Sequence, residues 1–175
     1  MKPSVRIETE RLLMRLPQLS DAQAIFGGYA QDSEVTRYLI WQSHHDVQET
    51  ERFLAECIAA WRQGTRFPWV ITLKASGELI GMVEMRIDGF KADVGYVIAR
   101  RWWGRGLTPE ASLRPSSGMG SPLLPGNDAS VRVLQKLGFL EEGTRRDYLY
   151  SKARFHRFRW FALLETDEAD HPATI

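Results

Sequence analysis

Residues 100–127, RRWWGRGLTPEASLRPSSGMGSPLLPGN, change character halfway along. The six residues before Arg100, VGYVIA (94–99), are apolar and rich in valine and isoleucine and predict a strand. Arg101-Trp102-Trp103-Gly104-Arg105-Gly106 follows at once, and Thr108-Pro109-Glu110 then predicts a helix start, with Thr108 as N-cap and Pro109 as first helical residue. Glycines at 104 and 106 let backbone N–H groups approach an anion, and a helix N-terminus adds partial positive charge. Together they predict a diphosphate nest on the end of a strand, although a lone G-x-G also reads as a plain glycine turn. The Walker Lys-Ser/Thr and the longer G-x-G-x-x-G are absent, which counts against triphosphatase and Rossmann readings. The second half, SSGMGSPLLPG, has neither helical nor alternating periodicity, and Pro115 would end a helix after barely two turns.

Outward from this stretch, helical and strand periods are both present. Glu10 to Leu16 reads as a strand closed by Pro17, and Leu19-Ser20-Asp21 caps a helix over DAQAIFGGYA. A second helix is predicted from Asp46 to Gln63, with Val47, Leu54, Ile58 and Trp61 on one face and Gly64 as its stop. The intervening segment from Asp32 to His45 is a loop rich in aromatic and polar groups, of a kind that lines binding clefts. From Pro68 to Ala99 the period falls to two, giving a three-stranded meander with turns at Ala75-Ser76-Gly77 and Asp88-Gly89. Ala129 to Leu137 is helical with Gly138 beyond it, and two strands follow about a turn from Ser151 to Arg154. Helices interleaved with a largely antiparallel sheet predict an α+β domain spanning 1–166, with 167–175 as a polar tail.

The 175 residues suit one domain, and a net charge of +1 supplies no bulk drive toward nucleic acid or acidic membranes. A small or locally recognised ligand is the better expectation. Cys57 is alone, so no intramolecular disulfide or multi-cysteine metal site is expected, and it reads as a small buried hydrophobe. His44 and His45 lack a third ligand at metal spacing. No signal core or membrane-spanning run is visible. The expected setting is cytoplasmic, with no metal, nucleic-acid or membrane partner, as a monomer or homodimer.

Arg101-x-x-Gly104-x-Gly106, preceded by VGYVIA and followed by Glu110-Ala111, resembles the acetyl-CoA signature of the GNAT acetyltransferases. Asn127-Asp-Ala-Ser130-Val-Arg-Val-Leu134-Gln-Lys136-Leu-Gly138-Phe139 is similar to the family's second motif, and IETERLLMR with the loop Asp32 to Tyr38 resembles the branch of ribosomal-protein N-terminal acetyltransferases. The resemblance covers nearly the whole chain except about 112–126. It implies a mixed sheet flanked by helices and direct acetyl transfer from acetyl-CoA to a primary amine, either a protein N-terminus or a small molecule. It places Val97, Ile98 and Ala99 at the acyl end and Arg101, Trp102, Trp103, Gly104, Arg105, Gly106, Thr108 and Asn127 along the cofactor.

Such a transfer needs a proton acceptor for the amine, donors for the oxyanion and a donor for the leaving thiolate. Many members carry a tyrosine where this chain has Leu134, which cannot donate a proton. By resemblance to the ribosomal-protein branch, Ser130 takes that role, although a first-turn serine also reads as a helix cap. Asp147 matches a carboxylate of that branch, with Asp93 and Glu84 as rivals. The family's helix and strand after the phosphate loop are expected here to be shortened or disrupted, by a reading-frame slip or by a natural shortening. A second reading is therefore an acyl-CoA-binding remnant without turnover.

Overall fold

The computed structural model describes residues 2–89, 91–111, 118–164 and 166–167. In chain order these form β1 (Arg6–Glu8), β2 (Leu12–Arg15), α1 (Ala22–Ile25), α2 (Ser33–Thr36), α3 (Val47–Gln63), β3 (Arg66–Leu73), β4 (Leu79–Asp88) and β5 (Lys91–Ile98). Then come α4 (Leu107–Ala111), β6 (Met119–Leu123), α5 (Asp128–Lys136), β7 (Leu140–Ser151) and β8 (Arg154–Leu163). The eight strands make one sheet in the order β1-β2-β3-β4-β5-β6-β8-β7. Every pairing is antiparallel except β5 with β6.

The middle of the sheet is covered on both faces, so β3 is buried continuously from Phe67 to Thr72 rather than alternately. Val70 and Met82 pack with Ile25, Leu54 and Cys57 of α1 and α3. Ile71, Val83 and Val94 point the other way and pack with Leu107 of α4 and Val131 and Leu134 of α5. Cys57 is the buried hydrophobe expected, its thiol pushed up to about 12 by burial. Helix α3 keeps its predicted bounds because both ends are capped. Asp46 Oδ1 accepts the Glu49 N–H at 2.8 Å, and Gly64 closes the helix at φ +77°.

Three elements escaped the sequence reading: β1, the short α2 inside the loop 32–45, and β6. The stretch 107–126 is mixed. Helix α4 has five described residues and begins at Leu107, so Thr108 is already helical rather than the N-cap, and Pro109 is the third helical residue rather than the first. Residues 112–117, Pro115 among them, lie outside the described residues, as does the expected tail from 168 onward. Beyond the first of these gaps β6 forms although no alternation announces it. Its five residues all pair with β8, and only Met119 and Gly120 pair with β5. Glycine is required at 120, where a Cβ would lie 2.6 Å from Trp160 Cζ2 and 2.9 Å from Asp93 Oδ1. Pro122 falls beyond the last β5 pair, on the side of the strand that β5 leaves, and proline is tolerated there.

Candidate active site

The parallel strands β5 and β6 part after Asp93↔Gly120. Ser121 Oγ donates to Val94 O at 3.2 Å where they separate, and Trp103 Nε1 donates to Ile98 O at 2.7 Å further along. Val94 and Ile98 thus turn their backbone groups toward the gap, and by the two-residue alternation of a strand so does Tyr96. Among the described residues no strand lies against the N–H groups of Tyr96 and Ile98 there. Of the three residues expected at the acyl end, Ile98 offers an N–H and Val97 contributes side chain. The Ala99 N–H is spent on Ile80 O at 2.8 Å. The second backbone N–H turned toward the gap is that of Tyr96.

Gly104 and Gly106 adopt φ +74° and +71°. With Trp103 and Thr108 they line one side of a cleft of about 390 Å³. Its other wall is α5, from Asn127 and Ser130 to Arg132 and Lys136. The last two cations stand one helical turn apart beside the glycine nest, where a phosphate-rich ligand would meet them. Sequence reading passed over both, although their i, i+4 spacing inside the second motif was a usable signal. Arg101, Trp102 and Arg105 are not in the cleft lining. Arg101 Nη2 and Trp102 Nε1 converge on Glu78 Oε1 at 2.5 and 3.1 Å, and the Arg105 guanidinium lies 4.6 Å over the Trp102 ring. These side chains brace the loop.

The loop is also tied to the N-terminal strands. Glu110 accepts from Thr9 Oγ1 at 2.5 Å and from the Arg11 N–H and Nε at 2.8 and 2.6 Å, while Arg11 Nη1 donates to Arg105 O at 3.1 Å. Burial opposes ionisation of Glu110, but these bonds and the charge of Arg11 outweigh it and hold the carboxyl below its usual range. The TERL run and the glycine loop are therefore one unit. Arg11→Ala is expected to weaken acetyl-CoA binding about 10-fold, although Arg11 is not in the cleft lining; calorimetry checks it.

A second cavity, of about 340 Å³, opens on the other face of the sheet. α1 runs into a π turn over Phe26–Ala30, which brings Tyr29 to its wall. Trp41, His44 and Phe53 form an aromatic side, with the His44 ring 5.2 Å from Trp41 and 6.1 Å from Phe53. Burial pushes the His44 imidazole below its ordinary range, and its Nδ1 lies 2.7 Å from Thr50 Oγ1. Cross-strand neighbours supply the floor. Glu84, opposite Pro68 and Gly95, meets Arg66 Nη2 at 2.7 Å and Arg86 Nη1 at 3.2 Å. Asp93, opposite Arg86, lines the same cavity. Charged residues at same-face positions of apolar strands were the signal for Arg66 and Arg86, and sequence reading missed both. The β7–β8 turn crosses to the other lip, where Lys152 Nζ donates to Thr36 O at 2.9 Å.

The two cavities share Tyr38, Leu39, Tyr96, Val97, Asn127 and Ser130. Asn127 Oδ1 caps α5 by accepting the Ser130 N–H at 3.2 Å, so the capping role belongs to Asn127, and Ser130 lines both spaces. Asp147 is placed differently. It is exposed on β7 at φ +46°, inside a register shift between Arg145 and Leu149, and is not in the cavity lining, whereas its neighbours Tyr148 and Leu149 are. Among the described residues no group of three or more His, Cys, Asp or Glu side chains could hold a metal.

A nucleotide-sized cleft beside two left-handed glycines, joined through a parted strand pair to a second cavity, fits an acyl-CoA-dependent transferase. The model of the GNAT acetyltransferase domain matches residues 11–114. The uncharacterized N-acetyltransferase YoaA of Bacillus subtilis is 30% identical over 156 residues, covering 82% of this chain and 88% of that protein. The ribosomal protein uS5-alanine N-acetyltransferase of Escherichia coli is 27% identical over 165 residues, 84% of each chain. RimL, a ribosomal-protein α-N-acetyltransferase solved with coenzyme A, superposes with a TM-score of 0.78 at 18% identity over 91% of this chain and 97% of its own. This chain belongs to the GNAT acetyltransferase family and is an N-acetyltransferase.

Proposed function

We propose that the acceptor is the α-amine of a protein N-terminus, acetylated in the cytoplasm by direct attack within a ternary complex. The observation that carries this reading is the junction at Tyr96, Val97 and Ser130, which joins a cleft built for a diphosphate to a cavity large enough for a terminal residue. Acetyl-CoA supplies the thioester and its leaving thiol. The N–H groups of Tyr96 and Ile98 take the pantetheine and the thioester oxygen, Gly104 and Gly106 take the diphosphate, and Arg132 and Lys136 take further phosphate. Ser130 hydrogen-bonds at the reacting end. We assign the carboxylate that receives the amine to Glu84 rather than Asp147, because Glu84 lies in the cavity and Asp147 does not. Its proton passes through cavity water. The similarity to the uS5-alanine enzyme supports a protein acceptor. The aromatic wall of Trp41, His44 and Phe53 and the Lys152 tie support a second acceptor class, small-molecule amines.

Thiol release from acetyl-CoA, measured across peptides with free and blocked N-termini and across polyamines and amino acids, tests this. Turnover is expected with free peptide N-termini and none with blocked ones. Turnover with small amines alone would move the acceptor to that class, and silence everywhere with intact acetyl-CoA binding would leave the binding remnant. Gly104→Val fixes the cofactor site: its Cβ meets nothing within 4 Å and would project into open space at a strained φ. Acetyl-CoA affinity is expected to fall by about 10-fold or more, with the remote core intact.

A further inference from the structure

Where the two cavities join, four of the six shared residues carry polar side chains: Tyr38, Tyr96, Asn127 and Ser130. The Asn127 carbonyl is committed to its helix cap. Tyr38 comes from the segment after α2, with its hydroxyl 3.5 Å from where a Cβ on Gly126 would stand. Tyr96 differs in coming from β5, the strand whose backbone faces the slot. Its side chain packs against the core of the α4–α5 face and its hydroxyl reaches Ser130 O at 3.5 Å. That is a long, weak bond, so the hydroxyl can turn to a better acceptor. The Ser130 carbonyl points along the helix toward the amide of Leu134, so the phenol lies beside the first turn of α5. Leu134 itself is wholly buried and apolar.

We propose that Tyr96 is the hydrogen-bond donor to the departing sulfur of acetyl-CoA. The assignment rests on the acetyl-transfer reading and names a group at that reaction centre. In the step, the amine nitrogen bonds the thioester carbon and loses one proton to cavity water. The carbon–sulfur bond breaks with its electron pair on sulfur, and the thiolate takes the Tyr96 O–H as a hydrogen bond before acquiring a proton from solvent on release. Burial pushes the Tyr96 phenol up to about 12, partly offset by its bond to Ser130, so at neutral pH it is a donor and keeps its proton. Its part is to steady developing negative charge on sulfur in a place where water is scarce.

The test uses the product. Coenzyme A and its desulfo analogue are titrated into the full chain by calorimetry between about pH 6 and 9.5. Donation to sulfur favours the thiolate and draws the bound thiol below its free value of ~8.5. Coenzyme A should then bind more tightly as pH rises through the interval between the two values, while the desulfo analogue should not. In Tyr96→Phe the strengthening should be lost, by about 10-fold at the top of the range, with desulfo affinity within about 2-fold of wild type. Turnover should fall by about 10- to 100-fold at unchanged KM, and the deficit should shrink when the acetyl donor is a thioester of a more acidic thiol. Charged and titratable groups facing the junction and the adjoining clefts are Glu34 of α2, Tyr38 and His44 between α2 and α3, Arg66 of β3, Glu84 and Arg86 of β4, Asp93 of β5, Arg132 and Lys136 of α5 and Tyr148 of β7. All are common to both proteins, so their titration cancels. Identical pH dependence and turnover in Tyr96→Phe would overturn the proposal, as would their loss in Tyr38→Phe instead. Desulfo-coenzyme A failing to bind wild type would bring down the cofactor reading beneath it.

Discussion

Gly81→Ala is expected to destabilise the protein by about 3 kcal/mol, a fall of about 6–12 °C in Tm for a chain of this size, and to weaken acetyl-CoA binding with it. Gly81 lies on β4 opposite Ile98, beside the irregularity where β3 and β4 change register between Ile71 and Thr72. A Cβ there would collide with Val97 O and sit 2.8 Å from Ile98 Cδ1. The first of these is backbone and cannot turn aside, so either β4 or β5 must move. Any displacement of β5 carries the Ile98 N–H with it, and that group faces the parted slot. Stability and cofactor affinity should therefore fall together, read by thermal unfolding and calorimetry. Gly95→Ala provides the contrast on the same ladder, since its Cβ would meet Arg86 Nη2 at an ordinary 3.6 Å. It should cost under about 1 kcal/mol and shift the KM of the acceptor, because Gly95 lines the cavity proposed for the acceptor. Equal effects at the two glycines would show that neither clash transmits to the slot.

What could be read from the sequence was whatever a local rule controls. α3 carries its boundaries in Asp46 and Gly64, and the meander carries its own in the period of two. The glycine loop was legible because left-handed backbone at 104 and 106 needs glycine, and α5 because its apolar period closes at Gly138, although its cap is Asn127 and not Ser130. β6 was not legible. Its strand character comes from β8 on one side and a glycine that lets Asp93 and Trp160 approach on the other, neither of which is local. The same holds for the floor of the acceptor cavity. Arg66, Glu84 and Asp93 are far apart or on different strands, and only the registers Arg66↔Arg86 and Arg86↔Asp93 bring them together. Tyr96 looked like one more aromatic in an apolar strand, and its value depends on β6 turning away and exposing that edge. Asp147 shows the converse. A motif position was carried over, but a bulge with φ +46° sets where the side chain stands.

That difference gives the sharpest separation between the two carboxylates. Glu84→Gln is expected to lower kcat/KM by ~10²–10⁴-fold, and Asp147→Asn by less than about threefold, with acetyl-CoA affinity unchanged in both. Glu84 has 16% of its side chain exposed and holds two guanidiniums, with Arg66 on Oε2 and Arg86 on Oε1. An incoming ammonium meets a fixed negative charge there and can release its proton through one water. An amide at 84 keeps the volume and loses the charge. The deficit should then narrow as pH rises toward the ~8 of a free α-amine, where the acceptor needs less help. Because the amide would also loosen Arg66 and Arg86, the unfolding temperature and acetyl-CoA affinity must be measured alongside, and a rate loss that tracks either would count as structural. Arg66→Lys is the further control: it keeps a cation on Glu84 but gives up the two-nitrogen grip seen at 3.2 and 2.7 Å. A smaller loss than in Glu84→Gln, of similar pH form, is expected if Arg66 acts by orienting the carboxylate. Should Asp147→Asn instead carry the large loss and its recovery with pH, the proton acceptor belongs to β7, and acceptor binding must reshape the bulge to bring it into the cavity.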